Sequence, residues 1–103
     1  MGNFKDLVQK RRSIRKFTDQ EVKAEDLQTI LRAALMSPTG KSVRAWHFVV
    51  VDDSALLEKM SLCRPMGSQF LAEAKVGIVV LGDREATDVW CEDASLAAVT
   101  MQY

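Results

Sequence analysis

Apolar positions in this chain recur first at helical and then at strand spacing. Phe4, Leu7 and Val8 share one helical face, and Asn3 stands where a side-chain cap is needed. The pattern predicts a first helix that runs into residues 10–12 and ends there. Residues 18–22 read as an exposed connector. Over 24–36, Leu27, Ile30, Leu31, Ala34 and Leu35 repeat at i, i+3, i+4, i+7 and i+8, which predicts an amphipathic second helix. Pro38 ends it, because a proline drives the preceding residue out of the α region. Residues 37–42 then form a loop punctuated by Pro38 and Gly40, leading into a strand.

Residues 46–51, Trp-His-Phe-Val-Val-Val, are the strongest strand signal, too apolar for both faces to meet water. Paired acids at Asp52 and Asp53 could suggest metal or acid chemistry; capping of a third helix over 55–62 accounts for them more simply. The chain breaks at 63–67, and 68–74 is a short helix. Residues 76–81 form a second, nearly continuous apolar strand, predicted to be central and buried. From Asp88 a last helix carries Trp90, Ala94, Ala97, Ala98 and Met101 on one face and Val89, Leu96 and Val99 on others. Apolar on more than one side, it should be buried within a domain or at a subunit interface. Its pattern is still running at Tyr103 with no stop signal, so the expectation is one domain that forms the first part of a longer fold.

Composition narrows the class. The chain has 103 residues, 48% of them hydrophobic, enough for one domain with a modest core. Fourteen basic residues balance fourteen acidic ones, where a dedicated nucleic-acid binder would carry a basic excess. The first twelve residues lack the apolar stretch of a secretory signal, and the apolar runs are too short to cross a bilayer. Cys63 and Cys91 are far apart and there is one histidine, His47, so no zinc pattern arises. A reducing, cytoplasmic setting is expected, with both thiols buried and inert and His47 structural or exposed. Trp46 and Trp90 are read as core.

Against that neutral background residues 10–17, Lys-Arg-Arg-Ser-Ile-Arg-Lys-Phe, concentrate five cations. Guanidinium groups offer planar forks of donors that match phosphate oxygens. In an extended segment Arg11, Ser13 and Arg15 would face one way and Arg12 and Ile14 the other, with Ile14 and Phe17 anchoring to a core. A solvated basic loop, or cations complementing a helix C-terminus, accounts for the charge equally well. The 37–44 loop adds hydroxyls, a cation and backbone N–H groups opened by Gly40. It is not a phosphate-binding P-loop, because it lacks GxxxxGK[ST] and precedes a strand. No Ser-His-Asp arrangement and no GxGxxG is present. If the protein is an enzyme, a bound cofactor should carry its chemistry.

Three collinear segments, Arg11 to Arg15 (RRSIR), Ser37 to Val51 (SPTGKSVRAWHFVVV) and Trp90 to Ala98 (WCEDASLAA), closely resemble the FMN-dependent nitroreductase family. The resemblance implies an α+β fold, a mostly antiparallel central sheet flanked by helices, in a homodimer with FMN at the interface. It implies that Arg11, Ser13 and Arg15 hold the phosphate, ribityl chain and pyrimidine edge of FMN, with Arg12 a neighbouring contact. Pro38, Thr39, Gly40 and Ser42 match the loop that reaches FMN from the other subunit. Family members pass a hydride from NADH or NADPH through the flavin to a nitroaromatic, quinone or similar acceptor.

The chain departs from the family at three neighbouring positions. Ser42 stands where Asn is common, Arg44 where Gln is common, and Ala45 where Pro is common. Lys41 and Arg44 thereby become candidate contacts for an acidic acceptor or for the phosphates of the nicotinamide cofactor. Two alternatives come from other classes. One is a non-catalytic nucleotide- or nucleic-acid-binding module using the basic cluster of residues 10–16. The other is a subunit that acts only through dimerisation.

Overall fold

The computed structural model describes residues 3–103, apart from the side chain of Ser42. Helix α1 spans Phe4–Lys10, and its Asn3 cap accepts the Asp6 N–H at 2.9 Å, as the sequence predicts. The helix stops at Lys10 because Arg11 turns to extended backbone. Helix α2, Ala24–Leu35, follows the predicted stripe: Ala34 is fully buried and Leu27, Ile30 and Leu31 are half-buried. Its last turn is left uncovered at Leu35 and Met36.

Strand β1, Trp46–Val51, pairs antiparallel with β2, Gly77–Gly82, in a register that sets Trp46 opposite Gly82 and Val51 opposite Gly77. Between them lie α3, Ser54–Met60, and a 3-10 turn, Gln69–Glu73, where a short helix was expected. Asp53 caps α3 by accepting the Ala55 N–H at 2.9 Å, which accounts for one of the two paired acids. Leu57 on α3 is the largest side chain to be fully buried. Helix α4, Trp90–Gln102, packs on α2 and on both strands.

The core is small: Ala34, Trp46 and Ala97 meet at its centre, with Phe48 and Met101 against them. Alternation along β1 puts Trp46 and Phe48 on that side, 5.4 Å apart as ring centroids, and turns His47 outward to solvent. The radius of gyration is 14.8 Å, against about 13 Å for a compact domain of this length. The chain therefore leaves apolar faces uncovered.

That openness explains four corrections. Strand β2 is not central, since the sheet has two strands among the described residues; Leu81 is exposed and Ile78 to Val80 are half-covered. Helix α4 buries only the stripe of Asp93 and Ala97, and Trp90, Leu96 and Val99 reach solvent, because one small sheet and one helix can cover only one of its sides. Cys63 and Cys91 are exposed rather than buried: one sits in the irregular stretch after α3 and the other on the outer side of the first turn of α4. Ile14 is 66% exposed and anchors nothing, while Phe17 does meet the Phe70 ring, at 6.1 Å.

Candidate functional site

Where α1 ends, its last carbonyls need donors, and the basic segment supplies one. Arg12 Nη1 donates to the carbonyls of Gln9 at 2.9 Å and Arg11 at 2.8 Å, so this guanidinium folds back over the helix terminus. Arg11 is half-buried at the C-cap, where its own N–H donates to the Leu7 carbonyl. Residues 11–15 then run extended along a cavity of about 310 Å³ whose other walls are Phe70 and Gln102. All five residues line it, including Arg12 and Ile14, which strict alternation would have turned away. Nothing in the sequence pointed to Phe70 or Gln102: they come from distant elements and carry no charge.

The electrostatics suit an anion. Among the described residues the ion pair is Lys75 with Glu21, at 3.6 Å, and no carboxylate lies within ion-pair distance of Arg11 or Arg15. Two guanidinium groups on one cavity wall, without internal counter-ions, are open to phosphate-type oxygens. The volume lies at the low end of the range for small-molecule sites, which starts near about 300 Å³.

The second candidate segment is fastened in a different place. Ser37 is buried and its hydroxyl donates to the Ala34 carbonyl at 2.7 Å. The Gly40 N–H donates to Asp93 Oδ1 at 2.9 Å, which ties the Gly40–Ser42 turn to α4. Ala45 is buried, and its carbonyl accepts the Asp83 N–H at 2.7 Å. Between these fixed points Lys41 and Arg44 are exposed and adopt left-handed backbone, with φ of 54° and 56°. Pro38 is exposed and Thr39 half-buried; the side chain of Ser42 lies outside the described residues.

Within one chain the two segments are not brought together. The cavity at residues 11–15 has no wall from 38–44. Asp93 is the residue that sequence reasoning passed over: it is 2% exposed, holds Gly40 with one oxygen, and leaves Oδ2 buried without a partner among the described residues. Its signal was an acid at the i−4 position to the core residue Ala97, which sets it on the inward face of α4 while its neighbour Glu92 faces solvent. Among the described residues no three His, Cys, Asp or Glu side chains gather as a metal site would require, and no helix is long and apolar enough to cross a membrane.

Comparison with known proteins adds a family to this geometry. Residues 8–64 match the model of the Nitroreductase family. A protein of Archaeoglobus fulgidus, named as a candidate NADH dehydrogenase/NAD(P)H nitroreductase, is 38% identical over 95 residues; the match covers 88% of this chain and 54% of that one. The solved FMN-dependent nitroreductase from Clostridium difficile superposes with a TM-score of 0.90 at 49% identity, covering 92% of this chain and 56% of its own. A nitroreductase candidate from Desulfovibrio desulfuricans, solved in complex with FMN, gives a TM-score of 0.83 at 30% identity, covering 93% and 58%. The chain thus spans about half the length of the relatives it matches.

Proposed function

The chain belongs to the nitroreductase family, and from that premise we propose that it serves as an FMN-dependent oxidoreductase. When bound, FMN supplies the hydride chemistry between NADH or NADPH and a nitroaromatic, quinone or similar acceptor. The residues present fit such a group. Arg11 and Arg15 offer charge-assisted donors to its phosphate and pyrimidine edge, and Ser13 offers a hydroxyl to the ribityl chain. Arg12, with its Nη1 committed to closing α1, is only a minor neighbouring contact beside them.

The carrying observation is the cavity lined by residues 11–15, where among the described residues no carboxylate lies within ion-pair distance of Arg11 or Arg15. The separation of the 38–44 loop from that cavity supports a homodimeric site, in which Pro38, Thr39, Gly40 and Ser42 of one subunit approach the flavin held by the other. The exposed, uncovered side of α4 supports the same arrangement. Lys41 and Arg44, both exposed, present positive charge to an acidic acceptor or to nicotinamide-cofactor phosphates.

The test is direct. Purified protein should carry, or take up, a yellow chromophore released on denaturation, and should bind FMN more tightly than riboflavin, because the phosphate is what the arginines read. Protein that stays colourless and ignores added FMN would refute the reading. Mass measured against concentration decides the dimer: a monomer at every concentration rules out the shared site.

A further inference from the structure

We propose that Asp93 is a positioning residue for the 37–44 loop, its buried carboxylate fixing the loop through Gly40 in the shape that meets the flavin. The idea rests on the reading of that loop as ligand-binding. Three observations converge on it. Asp93 is almost fully buried, yet among the described residues Oδ1 has one partner, the Gly40 N–H at 2.9 Å, and Oδ2 has none. A carboxylate out of water with one of its two oxygens unpartnered costs stability, so packing alone does not account for an acid here.

Gly40, moreover, lies hard against α4. A Cβ at that position would come within 2.6 Å of Val89 Cγ2, so backbone and helix approach as closely as a glycine permits. Lys41, the next residue, and Arg44 hold left-handed backbone without being glycine. Such conformations persist only where the surroundings over-determine them, and they concentrate at ligand clamps. The fixed point nearest to Lys41 is the Gly40–Asp93 bond. Remove it, and the turn is free to relax toward ordinary φ, moving the exposed cationic side chains of Lys41 and Arg44 off the ligand.

The test pairs Asp93→Ala with Asp93→Asn. Alanine removes the acceptor, whereas asparagine keeps an oxygen that accepts the same N–H without the charge. Gly40→Ala with and without Val89→Ala probes the same contact from the loop side, and so covers the case in which Asp93→Ala fails to fold. The readouts are hydrogen exchange at the Gly40 amide, FMN affinity by titration, and melting temperature.

The expected result is Gly40 exchange at least about tenfold faster in Asp93→Ala, with FMN affinity down by roughly tenfold or more, and both restored toward wild type in Asp93→Asn. Gly40→Ala should weaken FMN, and the added Val89→Ala should recover most of the loss. Unchanged Gly40 exchange in Asp93→Ala overturns the proposal whatever happens to FMN. Faster exchange with unchanged FMN affinity overturns it too, by showing a purely structural tie. A wild-type chain that binds no FMN but shows the exchange effect overturns the flavoprotein reading and the ligand half of the proposal together, while leaving the Asp93–Gly40 tie established.

Discussion

Replacing Arg11 and Arg12 by alanine, one at a time, should separate two roles that adjacent arginines play in one basic segment. Arg12 spends its Nη1 on the carbonyls of Gln9 and Arg11, at 2.9 and 2.8 Å, and so caps α1. Arg11 is half-buried in the cavity wall with no carboxylate beside it among the described residues. Loss of a charge-assisted hydrogen bond to phosphate is worth roughly 1.5–3 kcal/mol. Arg11→Ala should therefore raise the FMN dissociation constant roughly 10- to 150-fold. Arg12→Ala should instead cost about 0.3–1 kcal/mol of stability, the usual worth of a cation at an exposed helix C-terminus. For a domain of this size that is a drop in melting temperature of roughly 1–8 °C. Flavin fluorescence titration and thermal melts on the same preparations read both columns. If Arg12→Ala weakens FMN as much as Arg11→Ala and leaves the melting temperature alone, the division of labour is wrong, and Arg12 belongs to the ligand.

Two further outcomes can be stated. At Gly82 an added Cβ would meet Trp90 Cε3 at 2.7 Å and the Trp90 carbonyl oxygen at 3.2 Å, one of them backbone, so Gly82→Ala should cost about 1–3 kcal/mol. Gly77→Ala meets only the side-chain ends Leu57 Cδ2 and Met60 Cε and should cost clearly less; urea melts check the order, and a reversed ranking would contradict the packing at the β2–α4 junction. Arg44→Gly relieves about 1 kcal/mol of left-handed strain and returns about 0.5–1 kcal/mol to the unfolded chain, so stability should barely move. The Michaelis constant for an anionic acceptor should rise while that for a neutral quinone holds, and an equal change for both would remove Arg44 from acceptor recognition.

The site was legible in the sequence to unequal depth. Five cations in eight positions mark a concentration of positive charge wherever the chain puts them, because charge density is local, though the sequence left anion binding, a solvated loop and helix-end cations equally open. The partition between Arg11 and Arg12 was not visible, since it depends on where α1 ends and which carbonyls are then left bare. The loop of 37–42 could be read from Pro38 and Gly40, but the left-handed backbone of Lys41 and Arg44 could not, because neither residue favours it.

What the sequence decides alone is whatever repeats within a few residues. The period of the apolar positions marks α2 and β1, Asn3 and Asp53 cap α1 and α3, and Pro38 stops α2. What only tertiary structure decides is which apolar and polar groups are shared between distant elements. Alternation along β1 sends Trp46 inward, but the side of α4 that receives it is chosen by packing against Ala34, and that choice buries Asp93 and leaves Trp90 and Val99 in water. A carboxylate on α4 thus comes to hold a glycine fifty-three residues earlier in the chain, because burial is a property of surfaces that meet, and no window along one strand or helix contains both surfaces.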